Sequence, residues 1–316
     1  MTTSETWYLG VVYGPNSIRM GLVKRGGRIE DAVRVEIKNR TPLNTASKLL
    51  RELERYLRER AMPAAIGIGL PGYVSPEKGL WMHCMSMGIR HPIALVSNVK
   101  QAFSVPVFID NDLNVATLAE NYYGIGRISK DFLLVQADEG VALGIVAGGR
   151  LLRGVANCAG EIGHVTVEPE GALCECNSRG CLEPIVSFER IIEEAAARLG
   201  DYPQSVLRDE AKLTPSRIFE AAQSGDELAL RISCRVVKAL GIGLVNCVNL
   251  FNPEHIVLTG RVGGNAWLLE QVRKYVYANG FVSSVATLKD LSPSFLREDF
   301  SQVLGAASLC YAADGV

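Results

Sequence analysis

The stretch His164-Val-Thr-Val-Glu-Pro-Glu-Gly-Ala-Leu-Cys174-Glu-Cys176-Asn-Ser-Arg-Gly-Cys181-Leu-Glu183 spaces one histidine and three cysteines as His-x9-Cys-x-Cys-x4-Cys. Three thiolates and one imidazole suit tetrahedral zinc, and four protein ligands leave no open position, which predicts a structural rather than a catalytic metal. The intervening Pro169, Gly171, Asn177, Ser178 and Gly180 are turn formers that let the chain wrap an ion with little strain. The competing reading is three chance thiols. The other five cysteines (Cys84, Cys158, Cys234, Cys247 and Cys310) are scattered through apolar or mixed stretches and read as buried thiols, not a disulfide framework.

Upstream of this loop, hydrophobic runs between tight turns predict strands at Trp7–Tyr13, Ile18–Lys24 and Glu30–Ile37. Thr41-Pro42 opens a helix whose apolar stripe is Leu49, Leu50, Leu53, Tyr56 and Leu57. Strands at Ala65–Leu70 and Val105–Ile109 follow, with a helix at Ile93–Phe103 between them and another from Asn114 to Tyr123. The second half repeats the theme with strands at Phe132–Ala137, Ala142–Ala147, Arg150–Arg153 and His255–Thr259. Helices are expected at Phe188–Leu199, Pro215–Gln223 (capped by Thr214), Glu227–Leu250, Ala266–Ala278 and Val303–Ala313. This order predicts an α/β protein of two lobes with a cleft between them and a hinge near Asn111–Asn114.

The 316 residues are 48% hydrophobic and 21% charged, with formal net charge −1, an ordinary globular composition without the basic footprint of a nucleic-acid binder. No apolar run reaches the roughly 18 residues that span a bilayer. Met1–Thr6 is short and polar, unlike a signal peptide, so a cytoplasmic location is expected.

Ala159-Gly-Glu-Ile-Gly-His164 followed by Cys174 to Glu183 closely resembles the signature of the ROK family, which holds bacterial sugar kinases and sugar-responsive repressors. The resemblance extends to Gly67-Ile-Gly-Leu-Pro-Gly72, to Asn111-Asp112 and to Asn249-Leu-Phe-Asn-Pro253. It implies a two-lobed, actin-like (ribonuclease H-like) sugar kinase architecture with a zinc-binding loop. An N-terminal lobe would cover 1–112, completed by a closing helix at 303–316. A C-terminal lobe would cover 113–302, with the zinc loop at 163–183. By position, Gly72, Asn111, Asp112, Glu161, His164 and Glu183 would bind a hexose or amino sugar, His164 serving zinc with its other ring nitrogen. Asp112 would be the general base if the chain is a kinase. It could instead cap the helix near Asn114, and Glu161 and Glu183 could be solvated loop carboxylates. Glu183 precedes Pro184, which favours an extended backbone there. Asn177 stands where the family has Gly, a position that asks for a left-handed backbone.

Several residues depart from the kinase pattern. Where kinases of the family read Asp-x-Gly-Gly-Thr, the chain has Val12-Tyr13-Gly14-Pro15-Asn16, and where they read Gly-Thr-Gly it has Asp138-Glu139-Gly140. The glycine pair near the adenine site reads Gly260-Arg261, and Met85-Ser86-Met87 replaces a Pro-Asn pair before the cleft. ATP and magnesium are therefore not expected as cofactors. The pattern is closest to the sugar-sensing domain of the xylose and N-acetylglucosamine repressors, with no helix-turn-helix domain expected ahead of Trp7. A homodimer or higher homo-oligomer is expected. The alternatives are an ATP-dependent sugar kinase of glucokinase or N-acetylhexosamine kinase type and, in another class, a zinc-stabilised scaffold that binds no sugar.

Overall fold

A computed structural model describes residues 6–37, 45–296 and 298–312. The chain forms two compact units: Met1–Ile128 with Leu151–Ala159 and Leu296–Val316, and Ser129–Arg150 with Gly160–Phe295.

The first unit is built on strands β1 (Tyr8–Tyr13), β2 (Ser17–Val23), β3 (Ile29–Glu36), β4 (Ile66–Leu70) and β7 (Val107–Asn111), in the sheet order β3-β2-β1-β4-β7. The first three strands form an antiparallel meander, and β4 and β7 add in parallel. A small hairpin, β5 (Tyr73–Ser75) with β6 (Leu80–His83), was not foreseen. Helices α1 (Thr45–Leu57) and α2 (Leu95–Phe103) cover one face, through Leu49, Leu53, Val99 and Phe103. Helix α3 (Asp112–Tyr123) and the C-terminal helix α11 (Glu298–Ala312) cover the other, through Val115, Leu118, Val303 and Ala306. Covered on both faces, β1 reads as an unbroken apolar run, whereas edge strand β3 alternates. Helix α11 approaches the sheet so closely that a Cβ at Gly67 would stand 1.8 Å from the Ala306 carbonyl oxygen and one at Gly10 2.1 Å from that of Val303.

The second unit repeats the plan. Strands β8 (Phe132–Ala137), β9 (Val141–Ala147), β10 (Arg150–Leu151), β11 (His255–Thr259) and β12 (Asp290–Pro293) lie in the order β10-β9-β8-β11-β12. β8 and β9 are antiparallel, and β11 and β12 add in parallel. The helices are α4 (Glu183–Val186), α5 (Phe188–Arg198), α6 (Pro215–Gln223), α7 (Glu227–Phe251), α8 (Gly260–Gly263), α9 (Ala266–Asn279) and α10 (Val282–Thr287). Thr214 caps α6 as expected, and Asp226 caps α7 by accepting the Ala229 N–H at 2.9 Å. The core runs along α7 from Leu228 to Val248 and onto the sheet at Leu133, Val135 and Ile256.

Five expectations need correction. The division falls at Ile128/Ser129, not at 112/113 or in the Asn111–Asn114 segment, because α3 buries Val115 and Leu118 against α11 and belongs to the first unit. The closing helix starts at Glu298, earlier than 303, and the strand expected at Arg150–Arg153 ends at Leu151. Cys158 and Cys234 are exposed rather than buried. Glu183 opens helix α4 instead of adopting extended backbone, since the preceding Leu182 is already helical at φ −62°, ψ −43°. The Thr41-Pro42 helix start and the Met1–Glu5 part of the polar N-terminus lie outside the described residues. Among those described, no helix is long and apolar enough to cross a membrane.

Candidate functional site

In the first unit, chain reversal after β4 and the end of β7 place Gly72 and Asn111 together. The Asn111 side-chain NH2 donates to the Gly72 carbonyl at 2.8 Å, while its oxygen accepts the Leu113 and Asn114 N–H groups at 2.9 and 3.4 Å. Asn111, not Asp112, is therefore the N-cap of α3. Asp112 is the first helical residue, and its Oδ1 accepts the Leu113 N–H at 3.0 Å. Burial pushes its carboxyl up to about 6, against the opposing pull of that N–H and of Arg19. A carboxylate raised towards neutrality suits a proton acceptor.

Asp110, which sequence reasoning passed over, is the most heavily bonded residue here. It is 1% exposed. One oxygen accepts from Arg153 Nε at 2.9 Å; the other accepts from Asn114 Nδ2 at 2.8 Å, Asn157 Nδ2 at 3.0 Å and the Asn111 N–H at 2.8 Å. Asn157, at φ +57°, also donates to the Val74 carbonyl at 3.2 Å. The cluster pins the returning segment 151–159 to β7 and α3 and fixes the backbone that presents Asn111. Its sequence signal was faint: an acidic residue closing an apolar strand, with partners more than 40 positions away.

In the second unit, the Cys/His loop closes on itself. The ligand atoms of His164, Cys174, Cys176 and Cys181 all lie within 4.8 Å of one another. His164 Nδ1 is 3.6 Å from Cys174 Sγ, and Cys176 Sγ is 3.7 Å from Cys181 Sγ. A disulfide would need about 2.05 Å; donors held tetrahedrally about 2.3 Å from a metal stand about 3.8 Å apart. The four residues thus fit a metal ion. Cys174 and Cys181 are buried, while His164 and Cys176 are exposed. Burial pushes the Cys181 thiol up to about 12, and hydrogen bonding to the Ser178 backbone draws Cys176 down to about 7. Asn177 takes the left-handed backbone expected of it, φ +68°. Glu183 Oε2 accepts the Val141 N–H at 3.0 Å, so this carboxylate is aimed by β9 rather than left loose in the loop. Glu161 precedes the 3-10 turn Ile162–His164 and is exposed.

The turn joining β8 to β9, Asp138-Glu139-Gly140, is engaged by Arg261 of α8. Arg261 Nε bonds Asp138 Oδ1, Nη2 lies 3.2 Å from Glu139 Oε1, and the guanidinium carbon sits 3.7 Å from the Phe188 ring centre. In the first unit, Val12 is 2% exposed within the apolar cluster of α3 and α11.

The family model described as the ROK family matches residues 8–313. A glucokinase from Halalkalibacterium halodurans is 33% identical over 286 residues, 87% of this chain and 86% of its own length. A xylose repressor from Caldicellulosiruptor bescii is 32% identical over 77% of this chain, but the match spans 61% of the repressor. The crystal structure of a ROK family transcriptional regulator, a homologue of the E. coli MLC protein, superposes with TM-score 0.86 at 26% identity, covering 97% of this chain and 78% of that one. The mixed α/β, actin-like fold expected from the sequence is the fold of these proteins.

Proposed function

Because the chain belongs to the ROK family, we propose that it is a sugar-binding sensor of the regulator type, taking a hexose or amino sugar without a working ATP site. The observation that carries this reading is the Arg261 cage. Its guanidinium is spent on Asp138, Glu139 and Phe188, in the turn where the resemblance expects a bare glycine loop for phosphate. Were Arg261 to swing away, two carboxylates would face the polyphosphate. A like-charge pair at 4 Å costs about 4 kcal/mol at an effective dielectric near 20, roughly a thousandfold in affinity. Val12, buried among aliphatic side chains, offers magnesium no oxygen.

The proposed sugar-binding residues are Gly72, Asn111 and Asp112 on the first unit and Glu161, His164 and Glu183 on the second. Each side chain among them is a strong donor or acceptor for hydroxyl groups. The proposed metal is a structural zinc held by His164, Cys174, Cys176 and Cys181, since thiolates and an imidazole with near-tetrahedral separations suit it. Bound at Nδ1, the metal would fix the His164 ring and leave Nε2 for a hydroxyl.

The raised Asp112 carboxyl and the 33% identical glucokinase favour a second reading, an ATP-dependent sugar kinase with Asp112 as general base. One experiment separates them: titration calorimetry and a coupled ATP-turnover assay across hexoses and N-acetylhexosamines. Binding without turnover is expected. Turnover at about 1–100 s⁻¹ overturns the sensor reading in favour of the kinase, and absence of binding at millimolar sugar overturns both.

A further inference from the structure

From His164 to Glu183 the chain has no regular strand, and two isolated β-bridges, Thr166 with Cys181 and Leu173 with Arg179, fold it back on itself. Glu168 is at their centre. The N–H groups of Val167 and Glu168 both donate to the Gly180 carbonyl, at 2.8 and 3.1 Å, and the Gly171 N–H donates to the Glu168 carbonyl at 2.7 Å. Gly180 sits at φ +70°, and a Cβ there would stand 1.6 Å from the Glu168 carbonyl oxygen. The Glu168 backbone is therefore packed directly on the residue before the ligand Cys181.

The Glu168 side chain is held from outside the loop. Arg235, on α7, places Nε 3.1 Å from Oε1 and Nη2 2.8 Å from Oε2, a bidentate fork. Its Nη1 donates to Glu194 of α5 at 2.9 Å, and Glu194 also accepts from Arg198 at 3.2 Å. The pairing holds the Glu168 carboxyl below the usual carboxylate range. Helix α7 is anchored in the core along its length.

We propose that Arg235 is a positioning residue for the metal loop: by gripping Glu168 from α7 it holds Gly180–Cys181, and His164 four residues before Glu168, at metal-binding separations. The inference rests on the reading of the loop as a metal site. A lysine could supply the charge but not the planar fork that fixes the carboxylate's orientation.

The test is zinc affinity by chelator competition on the full chain, alongside the urea midpoint of each variant. Arg235→Met and Glu168→Gln are each expected to weaken zinc binding about ten- to a hundredfold, the range for groups that orient metal ligands. The double variant is expected to be no weaker than either single one, because the two residues act through one contact. Arg235→Lys should fall between parent and Arg235→Met. Parental zinc affinity in both single variants, whatever happens to their midpoints, overturns the proposal and leaves the clamp as ordinary packing. If Arg235→Met does not fold, the shape-conserving Glu168→Gln decides alone. A parent chain that binds no zinc overturns the metal reading itself and this inference with it.

Discussion

Replacing Asp110 with asparagine is expected to destabilise the first unit by about 2–4 kcal/mol. The carboxylate is 1% exposed and accepts four N–H groups, so the substitution acts on a saturated site. The oxygen facing Asn114, Asn157 and the Asn111 N–H can be kept, which preserves three of the four bonds. The other oxygen becomes an NH2 group directed at the Arg153 guanidinium. A charge-assisted hydrogen bond of roughly 1.5–3 kcal/mol is lost, and a buried donor without an acceptor costs about another 1–3 kcal/mol. Arg153 is 37% exposed and can turn partly to water, which trims the total. At about 2–4 °C per kcal/mol for a unit of this size, calorimetry should find its transition lowered by roughly 5–15 °C. Pairing the change with Arg153→Met should cost less than the sum of the two single changes, because neither partner is then left charged beside a misdirected group. Strict additivity, or a loss below about 0.5 kcal/mol for Asp110→Asn alone, would refute the view that this cluster fastens segment 151–159 to the first sheet.

Asp112 gives a pH signature. Its folded value near 6 lies above the 3.8 of a free aspartate, so its contribution favours folding below about pH 4 and fades as pH rises through 6. The difference is at most ~3 kcal/mol; urea midpoints of the parent should fall between pH 4 and 7 relative to those of Asp112→Asn, and parallel curves would contradict the shift. Metal analysis of protein prepared without chelator should give one zinc per chain, and Cys174→Ser or Cys181→Ser should lose the metal and lower the melting temperature; a parent well below one zinc per chain would refute the site. In sugar titrations Asp112→Ala and Glu183→Ala should each weaken binding while Asp138→Ala leaves it nearly unchanged; parental affinity in Asp112→Ala would reduce that residue to a helix-terminal charge.

Most strands and helices were legible because their signals are local. The apolar runs of β1, β4, β8 and β11, and the Thr214-Pro215 start of α6, need no tertiary information. The Cys/His cluster was legible because four ligand-type residues fall within one short loop. The misses depended on distant partners. The β5–β6 hairpin runs only three and four residues, too short to show a period. Asp110 and Arg235 look like any charged residues until Arg153, Asn157 and Glu168, at least 43 positions away, are brought to them. The unit boundary was misplaced for the same reason: α3 belongs to the first unit through its packing on α11, almost 200 residues later.

That packing has a consequence for the order of events during synthesis. β1 and β4 leave Gly10 and Gly67 bare so that the backbone of α11 can lie against them, and Val303 and Ala306 complete the cluster around Val12 and Val115. A nascent chain that has emerged only as far as β7 and α3 holds an apolar sheet face whose covering helix has not yet been translated. The segment Gly160–Phe295 lies wholly before α11 and contributes most of the second unit. At about 5–20 residues per second, the ribosome needs several seconds to tens of seconds to traverse the residues between α3 and α11. The later-encoded unit can thus reach its native packing first, while the earlier one waits for its covering helix.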